Sequence, residues 1–232
     1  MGQTVAHVVG ARPNFMKAAP VLRALDALGI RQRLIHTGQH YDERLSDVFF
    51  RDLDLPAPDE NLAVGSGTQA GQTAALMVAL ERSFVATPPD LVVVYGDVNS
   101  TIAAALVAAK LRIAIAHVEA GLRSFDDTMP EEINRRVTDL LSDLAFVTSP
   151  EGVTNLQAAG MAASRIHFVG NPMIDTLLAN LSRFRHEQAR IDLDLPHRYA
   201  IATLHRPANV DDPAQRARMV AMLHDIAARL PV

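Results

Sequence analysis

Leu91-Val92-Val93-Val94-Tyr95-Gly96-Asp97 is an apolar, β-branched run that ends in glycine and a carboxylate. A run with no polar alternation is the pattern of a strand covered on both faces, as in a parallel sheet. A second such run follows, Ile113-Ala114-Ile115-Ala116-His117-Val118-Glu119-Ala120-Gly121. Set side by side as parallel neighbours about 4.8 Å apart, the two bring Asp97 and Glu119 together at the carboxyl edge of the sheet, where open α/β folds bind their ligands. Folding alone does not require that placement. A crevice that holds or moves protons does, so the pair points to an enzyme.

Working outward from these runs, strands are predicted at Thr4–Val9, Gln32–His36, Leu91–Tyr95, Ile113–Val118, Leu144–Val147 and Ile166–Val169. Helical patterns fall between them: Asn14–Leu28, Asp42–Asp52, Gln69–Ala86, Ser100–Leu111, Pro130–Asp143 and Pro150–Ala159. Strands alternating with helices are the signature of a doubly wound parallel α/β sheet, Rossmann-like in class. Gly170-Asn171-Pro172 breaks the alternation, which places a first domain at 1–170 and a second at 171–232. The second is read as a helix from Met173 to about Arg185, a strand at Tyr199–Leu204 and a helix over Pro213–Leu230. One strand and one helix cannot bury their apolar faces alone, so this part reads as the start of a domain.

Composition narrows the function. With 232 residues and 49% hydrophobic content the chain can build a real core, and 22 basic against 26 acidic residues give a charge of -4. That balance supplies no electrostatic reason to expect nucleic acid or an anionic membrane as partner. The absence of cysteine excludes disulfides, Cys-ligated zinc and Cys nucleophiles. No segment has the length of a membrane span and the first ten residues lack a signal pattern, so a cytoplasmic location is expected.

Several motifs sit at strand ends. Gly10-Ala11-Arg12-Pro13-Asn14-Phe15-Met16-Lys17 is a strand-to-helix turn whose free amides, with Arg12 and Lys17, suit a phosphate, or else a turn with two solvated cations. It is no dinucleotide fingerprint, and Gly65-Ser66-Gly67-Thr68-Gln69-Ala70-Gly71 is read as a loop and helix start. Asp97 taken singly is a helix cap as readily as a catalyst, and His117 is readable as a hydrogen-bonded core histidine. Pro130-Glu131-Glu132-Ile133-Asn134-Arg135-Arg136 is explained by helix-start chemistry and Glu-to-Arg pairs at i,i+4. His205 and Arg206 follow the last strand and suit an anion. No spacing of His, Asp and Glu forms a metal site.

Taken together, the Gly10–Lys17 turn, Thr37-Gly38-Gln39-His40, Tyr95-Gly96-Asp97, His117-Val118-Glu119-Ala120-Gly121-Leu122-Arg123, Pro130-Glu131-Glu132-Ile133-Asn134-Arg135, Gly170-Asn171-Pro172 and Leu204-His205-Arg206-Pro207 closely resemble the non-hydrolysing UDP-N-acetylglucosamine 2-epimerases. The resemblance implies a glycosyltransferase-B-like arrangement of two Rossmann-like domains facing a cleft. It implies interconversion of UDP-GlcNAc and UDP-ManNAc without NAD or metal, in a cytoplasmic homodimer joined through the first domain and serving polysaccharide synthesis. UDP would be eliminated to give 2-acetamidoglucal and re-added with C2 inverted. By matching positions, Asp97, Glu119, Glu131 and His205 would be catalytic, and Arg12, Lys17, Arg135 and Arg206 would bind substrate.

This sequence departs from the family pattern at Tyr41-Asp42, where some members carry an allosteric UDP-GlcNAc site, and at Ala208, where an acid is expected. The larger departure is length, and it implies a fragment with little or no turnover whose Tyr199–Leu204 face is exposed. The alternatives are an epimerase of a modified sugar nucleotide such as a diacetamido-uronate, a hydrolysing epimerase, and an inactive UDP-sugar-binding module. A glycosyltransferase would have no need of three clustered carboxylates.

Overall fold

A computed structural model of the chain describes residues 3–38, 50–204 and 211–232. The chain forms two compact units, Met1–Asn180 and Leu181–Val232. In the first, seven parallel strands are joined in the order β3-β2-β1-β4-β5-β6-β7. They are β1 (Thr4–Val9), β2 (Arg31–His36), β3 (Glu60–Asn61), β4 (Leu91–Tyr95), β5 (Ala114–Ala120), β6 (Leu144–Val147) and β7 (Ile166–Phe168). The helices of this unit include α1 (Arg12–Ala27), α2 (Gln69–Ala86), α3 (Asn99–Leu111), α4 (Pro130–Leu141), α5 (Pro150–Ala158) and α6 (Pro172–Asn180).

The strand order reverses direction between β1 and β4, so the crevice at a doubly wound sheet's switch point opens beside the Gly10 turn and the Gly96 turn. A large core lies on each side of the sheet, and a smaller third cluster of Ala120, Ala145, Val147 and Leu156 lies beside β6. Phe15, Ala18, Ala19 and Leu22 of α1 pack on Val5, Val9, Val93 and Tyr95. Leu76, Leu80 and Phe84 of α2 and the alanines of α3 pack on Ala6, Val8, Val92 and Ile115. Small residues let α3 lie close against the strands, and most of that helix is buried. Thr176 of α6 donates its hydroxyl to the Met16 carbonyl at 2.6 Å, tying α6 to α1.

Helix α4 is amphipathic in the opposite sense. Its buried residues are Glu132, Asn134, Thr138 and Asp139, whereas Ile133 is 52% and Leu140 76% exposed. A helix that turns its polar side inward is serving a polar site and not an apolar core. Its outer side borders a cleft of about 660 Å³ shared with Phe125, Leu156 and Met161.

The second unit contains α7 (His186–Asp192) and α8 (Pro213–Ala227), the latter capped by Asp212 accepting from the amides of Ala214 and Gln215. The predicted strand at Tyr199–Leu204 is not formed. No neighbouring strand is present among the described residues of this unit to complete a ladder; Ala200 N donates to Pro231 O at 2.7 Å, which is not a strand pairing. Ile201 is exposed. The predicted helix from Met173 ends at Asn180 and is followed by a 3-10 turn, Leu181–Arg183.

Candidate active site

Strands β4 and β5 are parallel neighbours with Tyr95 beside Val118, so Gly96-Asp97 and Glu119 leave the sheet together. Glu119 lies where the register of β5 against β6 slips between Val118 and Ala120. It holds φ at 74°, a left-handed backbone that a non-glycine residue adopts at a cost of about 1–3 kcal/mol. Bulges of this kind re-aim a side chain beside an active site. Here the carboxylate is aimed at α1, where Lys17 Nζ donates to its Oε2. The pair is nearly buried, with the side chains 8% and 16% exposed.

Gly96 is shaped to this pair. Its φ is 65°, and a Cβ there would sit 2.8 Å from Lys17 Nζ and 3.2 Å from Glu119 Oε2. Asn14 stitches the two turns, accepting from Ala11 N at 2.9 Å and Gly10 N at 3.2 Å and donating to the Tyr95 carbonyl at 2.8 Å. The start of α1, with exposed Arg12 at its first position, therefore borders the same crevice.

Asp97 is not a helix cap; Val98 occupies the N-cap of α3. Arg135 Nη2 donates to Asp97 Oδ2 at 2.5 Å and Nε to the same oxygen at 3.1 Å. Arg135 also donates Nη1 to Glu132 at 3.1 Å. The expected i,i+4 Glu-to-Arg pairs of this helix are thus replaced: Arg135 serves Asp97, and Arg136 pairs with Asp127. Glu132 is buried and accepts from the amide and hydroxyl of Ser124 at 2.8 and 2.9 Å. Burial pushes its pKa up, but Ser124, Arg135 and Arg123 outweigh that and hold it below the usual range. Glu132 therefore orients Arg135. Its neighbour Glu131 is half-buried and has no hydrogen bond or ion pair among the described residues, which leaves its carboxylate available.

Asn134 donates to the Asp97 carbonyl at 2.9 Å and to Asn99 Oδ1 at 3.2 Å, while Asn99 donates to Gln69 and Gln72, each at 2.8 Å. His117 is a core histidine: Nδ1 bonds Asp139 at 2.8 Å and Nε2 bonds the Gly96 carbonyl at 2.7 Å. Asp139 is held below the ordinary carboxylate range, because the bonds from His117 and Arg123 outweigh the opposing effect of burial.

Asp97, Glu119, Lys17 and Arg135 are thus brought together at one sheet edge. His205 and Arg206 lie outside the described residues, as do the Tyr41-Asp42 and Ala208 departures. Asn14, Glu132 and Asn134 lie inside the motifs quoted above but carry no assigned role there, and Asp139 lies outside every motif; its one signal is a carboxylate on a helix face that packs inward.

A profile of the family described as UDP-N-acetylglucosamine 2-epimerase matches residues 23–232. The chain belongs to that family. A UDP-N-acetylglucosamine 2-epimerase of Methanocaldococcus jannaschii is 41% identical over 223 residues, 94% of this chain and 61% of the relative. A UDP-2,3-diacetamido-2,3-dideoxy-D-glucuronate 2-epimerase of Pseudomonas aeruginosa is 40% identical over 225 residues, 96% of this chain and 63% of the relative. The crystal structure of the Methanocaldococcus jannaschii enzyme in complex with UDP-GlcNAc and UDP matches with a TM-score of 0.91 and 39% identity, over 97% of this chain and 63% of that one. The chain therefore spans 61 to 63% of the length of these epimerases. The expected fold class, Rossmann-like and glycosyltransferase-B-like, agrees with these neighbours. Among the described residues no helix is long and apolar enough to cross a membrane.

Proposed function

We propose that the first unit carries the proton-transfer machinery of a non-hydrolysing UDP-N-acetylglucosamine 2-epimerase, with UDP-GlcNAc and UDP-ManNAc as its substrates. The observation that carries this reading is the adjacency of Glu119, paired with Lys17, and Asp97, paired with Arg135, at the switch point of the sheet.

The chemistry asks for such a set. The C2 proton of the sugar is not next to a carbonyl, so it leaves only as the C1–O bond to the diphosphate breaks and positive character grows on the ring. Carboxylates at that edge stabilise the oxocarbenium-like charge and take the proton, and a second carboxylic acid returns one to the opposite face of 2-acetamidoglucal. The diphosphate must stay within reach to re-add, a task suited to Arg12 and the amides at the start of α1. Asp97, Glu119 and Glu131 are the acid/base set in this proposal. His205 and Arg206 join them by resemblance alone, His205 as a further catalytic group and Arg206 as a substrate ligand. We propose further that the enzyme is a cytoplasmic homodimer supplying polysaccharide precursors, in keeping with the family resemblance.

A second reading is favoured by the Pseudomonas aeruginosa relative, whose identity to this chain, 40%, is close to the 41% of the Methanocaldococcus jannaschii enzyme. In it the same carboxylates act on a UDP-2,3-diacetamido-uronate. Proton NMR with each sugar nucleotide in deuterated water separates them: loss of the C2 proton signal in one and not the other assigns the substrate. Release of free ManNAc would indicate a hydrolysing enzyme instead.

A further inference from the structure

Glu119 holds its positive φ within a bulge, and the groups that fix its flanks converge on one buried carboxylate, Asp139 of α4. Asp139 Oδ1 accepts from His117 Nδ1 at 2.8 Å. Its two oxygens also face the Gly121 amide at 3.2 and 3.4 Å, and Oδ2 accepts from Arg123 Nη1 at 2.6 Å. His117 stands two residues before Glu119 and Gly121 two residues after it, so one carboxylate grips the strand on both sides of the bulge. The opposite nitrogen of His117 reaches the Gly96 carbonyl at 2.7 Å, immediately before Asp97.

We propose that Asp139 is a positioning residue: it locks the bulge that aims Glu119 at Lys17 and, through the His117 ring, sets the Gly96-Asp97 turn in register with it. Asp139 touches no reacting atom. Three donors meet at it, and an ionised carboxylate accepts from all of them. An asparagine of the same size turns an NH2 group toward one of those donors and leaves it unsatisfied. Asn155 also holds the Gly121 carbonyl at 2.9 Å and Gly96 N the Val118 carbonyl at 3.0 Å, but Asp139 alone spans both sides of Glu119. With the Gly121 amide or the His117 ring released that span is lost, and the left-handed backbone at Glu119 relaxes.

The geometric claim stands on its own; its effect on turnover rests on the proposed epimerase reading. The test compares Asp139→Asn with Asp143→Asn. Asp143 accepts from the Ile115 amide at 2.9 Å, so it binds β5 at its start, away from Glu119. Crystal structures of the unmodified chain and both variants report φ at residue 119 and the Lys17–Glu119 pair. C2 proton exchange of UDP-GlcNAc reports kcat and KM. The expected result is a negative φ and a broken pair in Asp139→Asn alone, with kcat lowered about 100-fold by misplacement of the carboxylate and KM little changed. Glu119 keeping its φ and its partner in Asp139→Asn would overturn the proposal. So would a negative φ in the unmodified chain, a result that needs no variant to fold. Failure of the unmodified chain to exchange the C2 proton bears on the epimerase reading and leaves the structural comparison to be read separately.

Discussion

Both Nε and Nη2 of Arg135 donate to a single oxygen of Asp97, Oδ2, at 3.1 and 2.5 Å, and Oδ1 has no hydrogen-bond partner among the described residues. One oxygen is held and the other is left to the crevice, which is how a carboxylate is kept oriented while remaining able to take a proton. Lysine cannot copy a two-nitrogen grip that also reaches Glu132. Arg135→Lys is expected to lower the rate of C2 exchange about 100-fold, a loss typical of removing one aligned electrostatic partner. The melting temperature should stay close to that of the unmodified chain.

The Lys17–Glu119 pair is nearly buried, so removing one member strands the other charge. Lys17→Met and Glu119→Gln should each destabilise the fold, Lys17→Met by about 3 kcal/mol. The double variant should recover part of that loss. Urea unfolding of the four proteins gives the coupling directly, and additive losses would deny the pair any energetic role.

Gly96→Ala meets two obstacles at once, a φ of 65° and a Cβ that would lie 2.8 Å from Lys17 Nζ. The left-handed backbone alone costs about 1–2 kcal/mol for a residue with a Cβ. Added displacement of Lys17 should uncouple it from Glu119, so exchange should fall further than stability. A variant with wild-type exchange would show that the turn tolerates both.

Stability should decline between pH 6.5 and 4 because of His7. This residue is buried against the Tyr95 hydroxyl at 2.7 Å, and its pKa falls from 6.5 to about 4. Burial is the main cause; nearby Gln32 offsets part of it, although Nε2 has no well-formed hydrogen bond. The folded chain keeps the ring neutral while the unfolded chain protonates it below pH 6.5, so the stabilisation is complete above 6.5 and is lost as pH falls toward 4. The difference amounts to about 3 kcal/mol. His7→Gln should flatten that part of the profile in urea titrations. Asp139 and Glu132, held below the ordinary carboxylate range, add a further loss only below about pH 4.

Much of this was legible in the sequence because the sheet is parallel and its strands are buried on both faces. The bounds of β4, β6 and α2 follow directly from apolar runs and breaks. Strand β3 is two residues long and carries no pattern to read. Tyr199–Leu204 carries the strand formers Tyr199, Ile201 and Thr203 yet has no partner strand in its unit among the described residues, and a strand exists only as part of a ladder. The paired acids of α4 show the other limit. Glu131 and Glu132 are equivalent in a helix-start pattern, and only the tertiary fold buries Glu132 against Ser124 and Arg135 while leaving Glu131 available. The bulge at Glu119 is invisible in the sequence, since it arises from the pull of Asp139 on residues either side.

The most direct test of the central claim, that Asp97 and Glu119 move the C2 proton, is proton NMR of millimolar UDP-GlcNAc in deuterated water with the purified chain and with Asp97→Asn and Glu119→Gln. The account predicts deuterium at C2 and UDP-ManNAc resonances with the unmodified chain, and neither with the two variants. Absence of exchange at saturating substrate, or exchange that persists in either variant, would contradict it.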